Sequence, residues 1–322
     1  MSQVIEISAA PEAAGTRRRA EGFPELVRRL SAQSVARQHD AYLDVAWDAP
    51  ENRIDPDDLR WELPEEEPLA HTAWYRAQPP AVRTRLGLHL AASFMKVGIQ
   101  FESVLKRGLL EFALELPNGA PEFRYAYHEV AEETQHSLMF QEFVNRSTFD
   151  PEGIPAWRLA LGRRMASNGR TFPALFFFAV LAGEEPIDQI QRSLLRGARE
   201  LAPVLERVMR IHVTEEARHL CFARQYLKEE VPRISRARLL ALQLRVPLLL
   251  RVLSQTMLRA PPEVARFHGI PRESIQEAYS FDNALHARRT LEAVARTREL
   301  CEELGVLTPR TVPLWRRLGL VP

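Results

Sequence analysis

The chain has 322 residues, 46% hydrophobic and 26% charged, with a formal net charge of +1. That balance suits a water-soluble globular protein and gives no bulk attraction to nucleic acid or an acidic membrane. Two cysteines, Cys221 and Cys301, exclude a disulfide framework or a zinc ribbon.

In chain order, residues 1–22 are small, polar and aperiodic, and are expected to be disordered. Residues 23–322 read as a single helical domain. Phe23–Gln38 suits a short helix. Ala41–Gln78 is dense in Pro, Asp, Glu and Trp, and reads as an irregular wrap pinned by Trp47, Trp61 and Trp74. Long periodic segments follow at Pro80–Leu116, Pro121–Arg146, Thr171–Glu200 and Val204–Lys228, with a shorter one at Pro155–Asn168. Arg236–Arg259 and Arg272–Leu304 are two more. Pro117-Asn118-Gly119 is a stop signal, and Pro186 should kink the helix that contains it. Only 14 glycines and no alternating Val/Ile/Thr run point to an all-α chain. The expected architecture is a four-helix bundle, its core at about 80–228, with additional helices. No apolar run is long enough to span a membrane, and the first ten residues show no basic-then-apolar leader. A cytoplasmic location is therefore the expectation.

Two of the helices repeat one local pattern, Glu133-Thr134-Gln135-His136 and Glu216-Ala217-Arg218-His219. Each Glu-x-x-His places a carboxylate and an imidazole on one helix face. A single match means little. Upstream, however, Glu102 lies 31 residues before Glu133, and Glu185 lies 31 before Glu216. At a rise of about 1.5 Å per residue, that offset returns the second side chain to the level of the first across an antiparallel hairpin. Two such hairpins offer four carboxylates and two imidazoles to one centre, the donor set of carboxylate-bridged dinuclear sites. Glu184 competes with Glu185, and Glu129 and Glu132 with Glu133; equal spacing selects Glu185, and the histidine offset selects Glu133. His212, one turn before Glu216 on the same face, adds a third imidazole, with Glu129 as its counterpart in the first half. Metal-bound imidazoles usually donate their other N–H to a carboxylate. Glu132 is therefore expected against His219 and Glu215 against His136, with Arg218 balancing charge.

The set Glu102, Glu133, His136, Glu185, His212, Glu216 and His219 resembles the ligands of the non-haem di-iron N-oxygenases that convert arylamines to nitro compounds, the p-aminobenzoate N-oxygenase family. The resemblance covers about Pro80–Lys228. It implies a ferritin-like helical bundle, two iron ions, O2 as co-substrate, an external electron donor and a homodimer. The implied activity is oxidation of an amine through hydroxylamine and nitroso stages to a nitro product, with a peroxo-diferric species as oxidant. Imidazole with carboxylate suits iron and also admits manganese. The alternatives are another di-iron oxidase on the same scaffold, such as a C–H hydroxylase or desaturase-like enzyme, or a metal-binding protein without turnover. For a small-molecule amine, free or carrier-bound, the expected pocket comprises Phe94, Gly98, Phe178, Leu181 and Gln191. Gly98 is expected to leave room beside the metals. Arg192, Arg288 and Arg289 are possible partners for a substrate carboxylate.

Overall fold

The computed structural model describes residues 21–322, so the expected disorder of 1–22 lies almost wholly outside the described part. Helix α1 (Phe23–Ala36) leads into an irregular segment with 3-10 turns at Pro50–Asn52, Leu59–Trp61 and Pro68–His71. A single turn, α2 (Ala73–Arg76), follows. The bundle is built by α3 (Pro80–Leu114), α4 (Pro121–Arg146), α7 (Pro173–Arg196) and α8 (Pro203–Glu230). Between its halves lie α5 (Ala156–Ala166) and α6 (Asn168–Thr171). The C-terminal part comprises α9 (Arg236–Leu258), α10 (Pro262–Phe267), α11 (Arg272–Tyr279), α12 (Ala284–Ala293), α13 (Ala295–Glu303) and α14 (Val312–Arg317). The described residues contain no strand, and none of their helices is long and apolar enough to cross a membrane.

All four bundle helices start with proline in the first turn, where its missing N–H has no intrahelical partner to lose. Gly119, at φ 86°, turns the chain between α3 and α4 in a conformation that an L side chain rarely adopts. Pro186 interrupts one backbone hydrogen bond, yet α7 is helical on both sides of it. The expected helix over Arg272–Leu304 is three helices. Asn283 accepts a hydrogen bond from the His286 N–H and so starts α12, and the chain turns again at Val294.

Two apolar clusters pack the bundle. One joins α1, α7, α8 and the C-terminal helices through Phe177, Phe222 and Trp315, with Val246 and Leu250 contributed by α9. The other fastens the wrap to α3, α4 and α8 through Trp47, Trp61, Phe140 and Phe143. Trp47 Nε1 donates to the Ala41 carbonyl at 2.7 Å, and Trp61 Nε1 to that of Asp55 at 3.0 Å. Gly87 is what lets the wrap lie flat on α3: a Cβ there would stand 1.7 Å from the Trp61 carbonyl oxygen. Trp74 is only partly buried and packs on a third, smaller cluster with Tyr75 and Tyr279.

Candidate metal centre

The centre lies between the two hairpins α3–α4 and α7–α8. Glu102 comes from α3, Glu129, Glu133 and His136 from α4, Glu184 from α7, and His212, Glu216 and His219 from α8. All eight are buried. Their donor atoms fall into overlapping groups, each within 4.8 Å: Glu102, His136 and His212; Glu133, His136 and Glu216; Glu184, His212 and Glu216; and Glu129, Glu133 and His219.

Glu185 is not in that set, which corrects the choice made from equal spacing. Its carboxylate is held by Arg224, whose Nε donates at 2.8 Å, and by Thr297, whose backbone N–H donates at 2.9 Å. Consecutive helical residues point about 100° apart, so only one of the pair can face the bundle axis. The spacing argument assumed equal hairpins. Glu102 and Glu184 each stand twelve residues before the end of their helix, and both loops have six residues. Glu133, however, stands twelve residues into α4 and Glu216 thirteen into α8. The extra residue belongs to the return helix.

The three imidazoles share one arrangement: one nitrogen faces the centre and the other is engaged outside it. His136 Nε2 bonds Glu215 Oε2 at 2.8 Å, while its Nδ1 faces Glu133, Glu216 and Glu102 at 3.3, 3.7 and 3.9 Å. His219 Nε2 bonds Glu132 Oε2 at 2.7 Å, while its Nδ1 faces Glu133 and Glu216 at 3.0 and 3.1 Å. His212 Nδ1 bonds Gln191 Oε1 at 2.9 Å, leaving Nε2 towards Glu216 and Glu102 at 3.7 and 3.9 Å. Arg218 Nη2 donates to Glu132 Oε1 at 2.6 Å and lies 3.6 Å from Glu215 Oε1. The structure thus brings Glu132, Glu215 and Arg218 against their expected partners across the bundle. His39, from the wrap, adds a contact to Glu215 Oε1 at 2.9 Å that sequence reasoning missed.

Glu102 has its own support. Lys106 Nζ donates to Ser137 Oγ at 2.5 Å and to the Glu133 carbonyl at 2.9 Å, and Ser137 Oγ donates to Glu102 Oε2 at 2.7 Å. A lysine and a serine one helical turn beyond two glutamates carry no motif, so the sequence offered no signal for them.

The electrostatics suit a pair of cations. Burial lifts the carboxyls of Glu102 and Glu184 well above their ordinary range, and neighbouring carboxylates push the same way. Burial likewise raises Glu216 and takes Glu129 to about 8, both against the pull of His219. For His136 and His219, burial opposes the charged form, but the surrounding carboxylates prevail and raise both. His212 is lowered, by burial first and then by His136. Without metal the centre therefore holds its carboxylates together with protons. Divalent cations replace those protons at lower cost. Buried Glu102 Oε1, Glu129 Oε2, Glu133 Oε1 and Glu216 Oε2 lack hydrogen-bond partners, the open acceptor capacity that a metal uses. Imidazole and carboxylate donors of this kind suit iron.

A cavity of about 790 Å³ lies beside the centre, between α3, α7, α8 and α12. Phe94 and Gln191 line it, and Gln191 is the contact between cavity and centre through His212. Phe178 and Leu181 do not line it; both lie fully inside the first apolar cluster. Gly98 leaves no room beside the metals either. A Cβ there would meet the Phe140 ring at 3.0 Å, so the glycine accommodates Phe140. Arg192 is bonded to Asp188 at 2.8 Å, and Arg289 to Glu67 at 2.8 Å, so both are already paired. Arg288 lies on the cavity wall with an exposed side chain.

Comparison with known proteins agrees with this geometry. No solved structure matches the chain. A protein of Mycobacterium bovis and its counterparts in two strains of Mycobacterium tuberculosis, all described only as uncharacterized, are 38% identical over 294 residues, 91% of this chain and 86% of theirs. The model of the p-aminobenzoate N-oxygenase AurF family matches residues 21–305, from the start of α1 to the end of α13. With the paired hairpins, the three imidazoles and that match in hand, the chain belongs to the p-aminobenzoate N-oxygenase family, a ferritin-like helical di-iron fold.

Proposed function

We propose that the protein is an O2-dependent di-iron N-oxygenase that converts an aromatic amine to its hydroxylamine and, by further turnovers, to nitroso and nitro products. The observation that supports this best is the third imidazole: His212 Nε2 is turned into the carboxylate cluster and fixed there by Gln191. Iron ions held by Glu102, Glu133, His136, Glu184, His212, Glu216 and His219, with Glu129 alongside, would supply activation of O2. In the first turnover, amine, O2, two electrons and two protons give hydroxylamine and water. The electrons come from an external donor.

The remaining chemistry belongs to the protein's own groups. Glu132 and Glu215 accept the outer N–H of His219 and His136, which fixes each ring's orientation and makes its inward nitrogen the one available to a metal. Arg218 offsets the charge of both carboxylates. Ser137 holds one oxygen of Glu102 and leaves the other free. The cavity would bring the amine to Gln191 past apolar side chains of α3, α7 and α8 such as Phe94, Ile187, Leu194 and Met209.

The test is to load the protein with iron anaerobically, reduce it, admit O2 with a panel of arylamines, and analyse products by mass spectrometry. Hydroxylamine, nitroso or nitro products dependent on iron and O2 are expected. Hydroxylation at carbon with the amine intact would favour a C–H hydroxylase. Manganese loading serves as the control for metal identity.

A further inference from the structure

Glu129 is the one donor of the centre that a seven-residue ligand set leaves without a role. It stands on α4 four residues before Glu133, as His212 stands on α8 four residues before Glu216. Positions four apart share a helix face. Exchanging the two hairpins therefore turns Glu102, His136 and His212 into Glu184, His219 and Glu129. The two halves of the bundle fill equivalent positions with an imidazole on one side and a carboxylate on the other.

The Glu129 side chain occupies that position. It is 1% exposed, and its Oε2 has no hydrogen-bond partner. The carboxylates outside the cluster are held differently: Glu132 by Arg218 and His219, and Glu215 by His136 and His39. A buried carboxylate oxygen without a partner is costly until something satisfies it. A donor atom of Glu129 lies within 4.8 Å of donor atoms of both Glu133 and His219. Donors bound to one first-row metal ion at about 2.1 Å stand at most about 4.2 Å apart. Small side-chain rotations therefore bring these three onto a single ion.

The donor groups also divide in a way that uses Glu129. Glu102, His136 and His212 form one group, and Glu129, Glu133 and His219 another, with no residue in common. The first offers two imidazoles and a carboxylate, the second two carboxylates and an imidazole. Glu216 joins them, because it shares a further group with Glu133 and His136.

We propose that Glu129 is a direct ligand, the eighth, of the metal ion held by His219, so that the added imidazole on one ion is matched by an added carboxylate on the other. The two ions are then unequal in charge environment. An anionic carboxylate favours the ferric state more than a neutral imidazole does, so an electron from the external donor goes first to the ion beside His212. This assignment rests on the metal centre alone and is independent of which substrate is oxidised.

The experiment compares the unaltered chain with Glu129→Gln and Glu129→His. A carboxamide has the shape of a protonated carboxyl but is a poor metal ligand, so Glu129→Gln separates a ligand from a neutral neighbour. Iron is added anaerobically in competition with a chelator, and the loaded proteins are examined by Mössbauer spectroscopy. Glu129→Gln should weaken the binding of one iron at least tenfold, no less than the loss of a residue that only supports a ligand, and change one of the two iron signals. Glu129→His should restore two irons per chain, as His212 does in the other half, with that same signal altered. Diffraction from iron-loaded crystals of the unaltered protein needs no variant and should place a Glu129 oxygen about 2.0–2.2 Å from one iron. Unchanged affinity and spectra in folded Glu129→Gln, or Glu129 oxygens beyond bonding distance of both irons, would overturn the proposal. Failure of the unaltered protein to bind iron would reject the metal centre itself and the proposal with it.

Discussion

Glu184 and Glu185 are adjacent, both buried and chemically identical, yet they serve different partners. Glu184 meets His212 and Glu216, whereas Glu185 ties α7 to Arg224 and Thr297. Glu184→Gln should therefore reduce bound iron from two towards one per chain. Glu185→Gln should leave iron content unchanged and lower stability by about 1–3 kcal/mol, the usual cost of disrupting a buried hydrogen-bonded group; iron analysis and thermal melts together check both. Gln191→Leu should weaken iron binding about 10- to 100-fold, the range for losing the outer partner of a ligating histidine. Unchanged affinity in competition with a chelator would contradict that role. At this scale the sequence was legible where chemistry repeats: Glu-x-x-His twice, and a third histidine one turn away. It was not legible where the answer depended on which of two neighbours faces inward. One additional residue in α8 was enough to break the equal-spacing argument, and nothing in the local sequence marks it.

Among the elements, the bundle helices follow directly from their proline starts, apolar periodicity and the stop at Pro117-Asn118-Gly119. The break in Arg272–Leu304 depends on the Asn283 cap, which a continuous polar–apolar pattern conceals. The wrap is tied to α3 through backbone proximity at Gly87. Gly87→Ala should push the Trp61 carbonyl away and lower the melting temperature, with a cost of about 1–3 kcal/mol as for other overpacked sites. Gly98→Ala should cost less, because the neighbour is the edge of the Phe140 ring at 3.0 Å and not backbone. A larger loss at Gly98 would show that Phe140 cannot yield. The same glycine explains why a pocket beside the metals is hard to read from sequence: the space its absent side chain leaves is filled by a ring 42 positions further along the chain.

Across the whole molecule, distant segments meet in a pH-sensitive contact. His89 of α3 stacks on Phe149 and lies 3.2 Å from His268, which follows α10. Burial holds both imidazoles below their ordinary value, and for His268 the proximity of His89 adds to it and takes it to about 4. The unfolded chain takes up these protons near pH 6.5 while the folded one refuses them. The contribution to stability is thus complete above about 6.5 and declines as pH falls towards 4. His268→Phe should show a smaller fall in melting temperature between pH 7 and 4.5 than the unaltered protein; an equal fall would place the sensitivity elsewhere. At the same scale, the two facing hairpins are held to grip a metal pair, with an added imidazole on one side. Anomalous diffraction at the iron edge from iron-loaded crystals would locate that pair. Two peaks about 3.5–4 Å apart are expected, contacted by Glu102, Glu133, His136, Glu184, His212, Glu216 and His219. A single peak, peaks away from these residues, or density joining iron to Glu185 in place of Glu184 would refute it.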